Sequence, residues 1–338
     1  MKSRTFSMHR FHAARGFSLI ELMIGVALGL VVLAALTSFF VSTSANRHEI
    51  ERTSRQIENG RFAIDTLRNE LRLAGFFAEL QTTGAVWQMP DPCLTDIAST
   101  GLVLGPPLKV PLPLTGYAAD AGMPACLANH VVGTDVVVVR RFNTEPIPVA
   151  SAVATQFYYQ PSRCATDSTT TPWFFGTGAA PGAFTLRRVS CGTKLSDLYR
   201  YRVAIFYIRD YSTTVGDKIP TLVKLELDGG AINTYPMVEG IQDMRVEYGI
   251  DVDTDGSPDE YRRCDAAASC TIDQWAGVTA VRVNVLAVNL EPTQGYTDVK
   301  EYDMGSGNPR TVGPFKDQLK RHIYAALITL PNRTGPRE

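Results

Sequence analysis

Ten consecutive positions, Asp251 to Glu260 (DVDTDGSPDE), carry five carboxylates. Carboxylates at alternate positions followed by a glycine can fold around a hard cation, as in the first half of an EF-hand loop, where calcium takes six to eight oxygen ligands. The pattern departs from that loop at its twelfth position, which is Arg262 instead of a bidentate glutamate, and its flanks read as strands. The expectation is a calcium-binding hairpin loop with Asp251, Asp253, Asp255, Asp259 and Glu260 as candidate ligands. The alternative is an acidic turn held by Asx hydrogen bonds. Either role is structural: a cation would offset repulsion among the carboxylates and stiffen the loop beside Cys264 and Cys270. No other stretch asks for a cofactor.

Six cysteines, Cys93, Cys126, Cys164, Cys191, Cys264 and Cys270, all lie downstream of the long apolar run. An even count on an exported side reads as a disulfide framework, for which six cysteines allow 15 connectivities. Nearest-neighbour pairing is the simplest of these, because it closes three separate loops. Zinc is the rival, but the sequence has no CxxC. Enzyme chemistry finds little support. His9 and His12 precede the apolar run, leaving His48, His130 and His322, and there is no HExxH, GxSxG, Walker-type loop or dinucleotide fingerprint. A non-enzymatic protein is expected.

The apolar run extends from Leu22 to Val41 without a charge. Twenty such residues are about what a helix needs to cross roughly 30 Å of hydrocarbon. Glu21 stands at the upstream end, where an ionised side chain in lipid costs on the order of several kcal/mol. It needs a partner. Gly25 and Gly29 form a GxxxG that lets another helix approach closely, unless they are two glycines present by composition alone.

A secretory signal peptide is cut after its apolar run. Here the plausible processing signal, Gly16 before Phe17, precedes the run, so cleavage would leave the helix attached. Arg15-Gly16-Phe17-Ser18-Leu19-Ile20-Glu21 resembles the class III signal of type IV prepilins. That resemblance implies a dedicated prepilin peptidase cutting after Gly16 and methylating the new Phe17 amine. Cutting there removes Lys2, Arg4, Arg10 and Arg15, the residues that hold the N-terminus in the cytoplasm under the positive-inside rule. In a bundle of such helices the Glu21 carboxylate can pair with the Phe17 amine of a neighbouring subunit, neutralising both in a low-dielectric core and setting axial register. The alternative is a plain N-terminal anchor with an accidental glutamate.

The elements that position these groups are legible in outline. The 338 residues leave 322 once a 16-residue leader is subtracted, ample for a sizeable core. With 45% hydrophobic and 20% charged residues, the composition is that of a globular protein. The formal charge of −1 becomes −5 without the leader's four basic residues, and no basic stripe points to nucleic acid. Ile50, Ile57, Ile64 and Leu71 recur every seven residues, with Leu67 and Ala74 three after the last two, so one helix is expected from about Phe17 to Leu73, ending before Gly75. Pairs four apart, Arg47 with Glu51, Glu51 with Arg55 and Arg61 with Asp65, would support it.

From Gln81 to Gly133 proline and glycine suggest a looped insertion stapled by Cys93 and Cys126; Pro161 to Gly192 suggests a second, with Trp173, Phe174 and Phe175 in core packing, the alternative being an exposed contact patch. Strands are expected at Thr134–Arg141, Tyr199–Arg209, Thr221–Leu227, Gly240–Tyr248, Val278–Leu290 and Arg321–Leu330. No long helix intervenes, so they should pair antiparallel. The fold class expected is α+β, a long N-terminal helix packed on an antiparallel sheet with disulfide-stapled loops. The organisation reads as a leader (1–16), a transmembrane or filament-core helix (17–41), its amphipathic continuation (42–75) and an exported β-rich domain (76–338).

Three further stretches, RFAIDTLRNELRLAGF, the loop from Tyr248 to Gly256 and the ending KRHIYAALITLPNR, resemble the PilW family of type IV pilus minor pilins. That resemblance implies a low-abundance subunit near the pilus tip. Its partners would be other minor pilins, the major pilin and a tip adhesin, and together they would prime assembly and support adhesion and twitching motility. It also implies a single pass through the bacterial inner membrane, with the C-terminal domain periplasmic and later carried on the surface pilus. The alternatives are a J-type pseudopilin of type II secretion and a membrane-anchored exported binding protein or hydrolase that does not polymerise.

Overall fold

An apolar run followed directly by charged heptads keeps one helix continuous over 53 residues, Leu19–Leu71. The structure is a computed structural model that describes residues 16, 18–103, 105–119, 122–168, 171–305 and 311–334. The leader ahead of Gly16, and Phe17 itself, lie outside the described residues. The chain divides into two units, Met1–Glu51 and Arg52–Glu338. In the first, the apolar side chains from Leu19 to Val41 are exposed, and the helix is long and apolar enough to cross a membrane by length and composition.

In the second unit the helix has a buried face made by Gln56, Gly60, Ala63, Ile64, Leu67 and Leu71. Ile50 and Ile57, counted in the sequence stripe, are exposed instead. Gly60 is the point of closest approach, since a Cβ there would lie 2.1 Å from the Tyr324 ring. The helix ends through turns to Gly75, whose φ of +74° suits only glycine at low cost. Its last carbonyls are covered from the far end of the chain, where the Asn332 Nδ2 donates to Ala74 O at 3.2 Å. Of the anticipated helix pairs, Arg55 reaches Glu291 at 3.2 Å and Asp65 pairs with Arg68.

β-Branched and aromatic runs separated by turns make two large antiparallel sheets. The first has seven strands: β1 (Leu114–Tyr117), β2 (Val136–Phe142), β3 (Phe157–Pro161), β4 (Trp173–Thr177), β5 (Tyr199–Arg209), β6 (Thr221–Leu227) and β7 (Ile232–Glu239). Strand β5 is its spine. One edge pairs with β2 (Phe206 opposite Val137), while the other is shared by β3 at Tyr199 and Arg200 and by β6 from Ala204 to Arg209.

The second sheet has four strands, β8 (Ile241–Ile250), β9 (Glu260–Arg262), β10 (Val278–Val288) and β11 (Arg321–Thr329), in the order β9-β8-β10-β11. One core joins the helix (Ala63, Ile64, Leu67, Leu71) to both sheets (Val137, Phe206, Met244, Val283, Ile328). A second core, rich in aromatics, lies on the first sheet, where Phe142 stacks on Tyr159 at 4.9 Å. The α+β architecture with a long N-terminal helix on antiparallel sheets therefore stands.

The looped insertions hold more order than their composition suggests. Within 81–133, Val86–Gln88 pairs in parallel with Lys109–Pro111, and β1 joins the large sheet. The buried Arg140 guanidinium ties this region down, donating to Pro90 O at 2.9 Å and Thr115 Oγ1 at 3.0 Å. Within 161–192, the Trp-Phe-Phe run is strand β4, with Trp173 and Phe175 against the aromatic core and Phe174 against Tyr158, Phe184 and Leu198. The structure joins Cys93 to Cys126, Cys164 to Cys191 and Cys264 to Cys270.

Candidate functional site

Two groups of residues could do chemistry, and they sit in different units. In the first, the helix begins under a local cap: Ser18 Oγ accepts from the Glu21 N–H at 3.3 Å, and Ser18 O accepts from the same N–H at 3.1 Å. Glu21 thus lies in the first turn, where a carboxylate favours the positive end of the helix dipole. Its side chain is exposed. Gly25 and Gly29 follow one turn apart, and a Cβ at either would meet nothing within 4 Å. Thr37 is satisfied within the helix, its Oγ1 donating to Leu33 O at 2.8 Å, so the surface it adds is compatible with an apolar environment. The arrangement is an apolar rod with one carboxylate near its start and room for close helix contact. Gly16 is exposed, and Phe17, the residue that follows it, lies outside the described residues.

The second group closes the hairpin between β8 and β9. Strand pairing sets Ile250 opposite Glu260, and left-handed turns at Thr254 (φ +66°) and Gly256 (φ +92°) fold the intervening loop back on itself. This brings together Asp251, Asp253 and Asp259, which each offer a carboxylate oxygen within 4.8 Å of the others. Asp251 is buried, and its Oδ2 accepts from the Gly256 N–H at 3.0 Å. Asp259 Oδ2 accepts from Val252 N–H at 2.7 Å, and Asp253 Oδ1 from Asp255 N–H at 3.2 Å.

The other two candidate ligands point elsewhere. Asp255 Oδ1 accepts from the Ser257 N–H at 2.7 Å, and Glu260 pairs with Arg262 at 2.8 Å. The loop therefore contains the Asx hydrogen bonds of one sequence reading and the converging carboxylates of the other. The Cys264–Cys270 disulfide follows directly, and Thr271 then caps the short helix Ile272–Ala276 through a reciprocal bond with Gln274.

Other functional-grade groups escaped the sequence reading because their partners are remote. Glu291 accepts from Arg52 Nε at 2.8 Å and from Arg55, and those two guanidinium groups hold its carboxyl below the usual value. Gln56 Nε2 donates to Ala287 O at 2.9 Å and Lys320 O at 2.8 Å, fastening helix to sheet. Arg321, nearly sealed, bonds Asp298 at 2.8 Å and Asp317 at 2.6 Å. These are structural ties between positions far apart in the sequence.

Comparison with known proteins gives two family matches. Residues 205–332 match the family described as Type IV Pilus-assembly protein W, and residues 12–37 match the Prokaryotic N-terminal methylation motif. The first match takes in the end of β5, the whole second sheet and the acidic loop; the second takes in Gly16, Phe17, Glu21, Gly25 and Gly29. No curated protein matches the chain. Among solved structures, a type IV-like pilin from Thermus thermophilus aligns at 12% identity, with 82% of this chain and 98% of that one covered and a TM-score of 0.33. The two family matches bear out the resemblance to PilW-type type IV pilins seen in the sequence.

Proposed function

We propose that this chain, a PilW-type type IV pilin by its two family matches, is a minor pilin that is cut after Gly16, leaves the membrane by joining a filament, and helps to prime pilus assembly at the tip. The observation that carries the reading is the coincidence of the methylation motif over residues 12–37 with an apolar helix whose side chains are exposed along the same stretch. Exposed apolar surface of that extent must be covered by lipid or by other helices. Before cleavage the leader's basic residues favour the membrane position; after it, the Phe17 amine provides the positive charge that Glu21 needs. A neighbouring subunit's amine against this carboxylate removes the cost of burying either charge alone and fixes the axial offset between subunits.

The partners are other minor pilins, the major pilin and a tip adhesin, with prepilin peptidase acting first at the inner membrane. Adhesion and twitching motility follow from a pilus whose tip is correctly built. The test is Glu21→Ala in the native host. The variant is cleaved as wild type but enters sheared pili at about one tenth of the wild-type level or less, a loss of at least about 1.4 kcal/mol per subunit contact. Normal incorporation overturns the pairing. Deletion of the gene separates the classes: loss of surface pili supports the minor pilin, whereas intact pili with failed exoprotein release supports a secretion pseudopilin.

A further inference from the structure

We infer that Asp251, Asp253 and Asp259 bind a calcium ion in the β8–β9 hairpin. Calcium holds its oxygen ligands at about 2.3–2.6 Å, so two oxygens on one ion stand at most about 4.6–5.2 Å apart. The three carboxylates meet that condition, with one oxygen of each within 4.8 Å of the other two. Magnesium demands near-ideal octahedral geometry and gives up its waters reluctantly, so it is seldom held by a protein carboxylate set of this kind.

A second observation points to a ligand independently of the cluster's spacing. Asp251 is 4% exposed, and its Oδ1 atom is sealed from solvent with no hydrogen-bond partner, although Oδ2 is satisfied by Gly256 N–H. A buried carboxylate oxygen without a partner is costly and is rarely retained unless something completes it. The basic side chains that follow on this hairpin are committed elsewhere, Arg262 to Glu260 at 2.8 Å and Arg263 to Asp135 at 2.6 Å. Asp251 also lines a cleft of about 500 Å³ together with Thr254, Glu260, Arg262, Asp273 and Gly277, while Asp253 and Asp259 stand outside its lining. An ion here ties the two ends of the loop together and draws in Asp253 from within it, because Asp251 leaves β8 and Asp259 leads into β9.

The ion is a structural ligand, and the inference stands whether the chain enters a pilus or a secretion pseudopilus. The test uses full-length protein in detergent, stripped with chelator and titrated with calcium chloride by calorimetry, with thermal melts in calcium, magnesium or EDTA alongside. One saturable calcium site per chain in the range of exported modules, about 10⁻⁴–10⁻³ M or tighter, is expected, with a higher melting temperature in calcium than in magnesium. Asp253→Asn and Asp259→Asn, both at exposed positions, weaken binding about tenfold or more while leaving the EDTA melt near that of wild type. Asp273→Asn, in the same cleft but outside the cluster, leaves calcium affinity unchanged. Absence of saturable binding, or unaltered affinity in Asp253→Asn and Asp259→Asn, overturns the assignment.

Discussion

Arg263 places its Nη2 2.6 Å from Asp135 Oδ1 across 128 positions of chain, and both side chains are nearly sealed from solvent. Asp135 does more than pair: its carboxylate accepts from Ala119 N–H and from Val246 N–H, each at 2.9 Å, and its own N–H donates to Met244 O at 2.9 Å. It stands just before β2 of the first sheet, while Met244 and Val246 belong to β8 of the second. One residue therefore joins the two sheets, and the strand that carries the acidic loop is fixed through it.

Removing one member of this pair leaves the other charge buried. Arg263→Met should lower unfolding free energy by about 3–5 kcal/mol, and the double variant Asp135→Asn, Arg263→Met should recover part of that loss, because two neutral groups replace an orphaned anion. Denaturant melts of the detergent-solubilised protein measure both. A single variant within about 0.5 kcal/mol of wild type would show that the sheets are joined by other contacts.

Acid should weaken the ion cluster on β6 once the pH is low enough to protonate Glu226. Burial alone would raise the Glu226 carboxyl, but a hydrogen bond from Lys224 at 2.8 Å and the charges of Arg202 and Lys224 outweigh it and hold the group below its usual value. A carboxylate depressed in the folded state contributes stability above its unfolded pKa of about 4.3, and that contribution is lost as pH falls through the folded value. The melting temperature of wild type should exceed that of Glu226→Gln at pH 7, and the gap should close below about pH 4. A gap that stays constant between pH 7 and pH 3 would contradict the electrostatic origin.

Much of this architecture was visible in local pattern. Strands β5 and β6 begin and end where alternation and turn residues place them, at Tyr199–Arg209 and Thr221–Leu227. The helix start, the uncharged run and Gly75 were likewise readable, because each depends on near neighbours. Strands β1, β3, β4 and β7 were not visible in local pattern, and two of them have a plain physical reason: β4 buries aromatics on both faces and so shows no alternation, and β7 is an exposed strand interrupted by Pro236, which suits a sheet edge. The exposed Ile50 and Ile57 show the limit of a heptad count, since Gln56 and Gly60 take the inward face where the Tyr324 ring and the carbonyls of Ala287 and Lys320 lie.

In the acidic loop, spacing nominated five carboxylates, but only the folded turns at Thr254 and Gly256 separate the converging three from Asp255 and Glu260. Tertiary ties such as Asp135 with Arg263 leave no local trace at all.

Cleavage between Gly16 and Phe17 is what would convert a membrane anchor into a filament subunit, and the N-terminus of the mature protein reports it. Mass spectrometry of the protein purified from native membranes should find an N-methylated Phe17 as the first residue, and the unmethylated full-length chain should accumulate when prepilin peptidase is deleted. An N-terminus at Met1, or one beyond the apolar run that ends at Val41, in the wild-type host would contradict it.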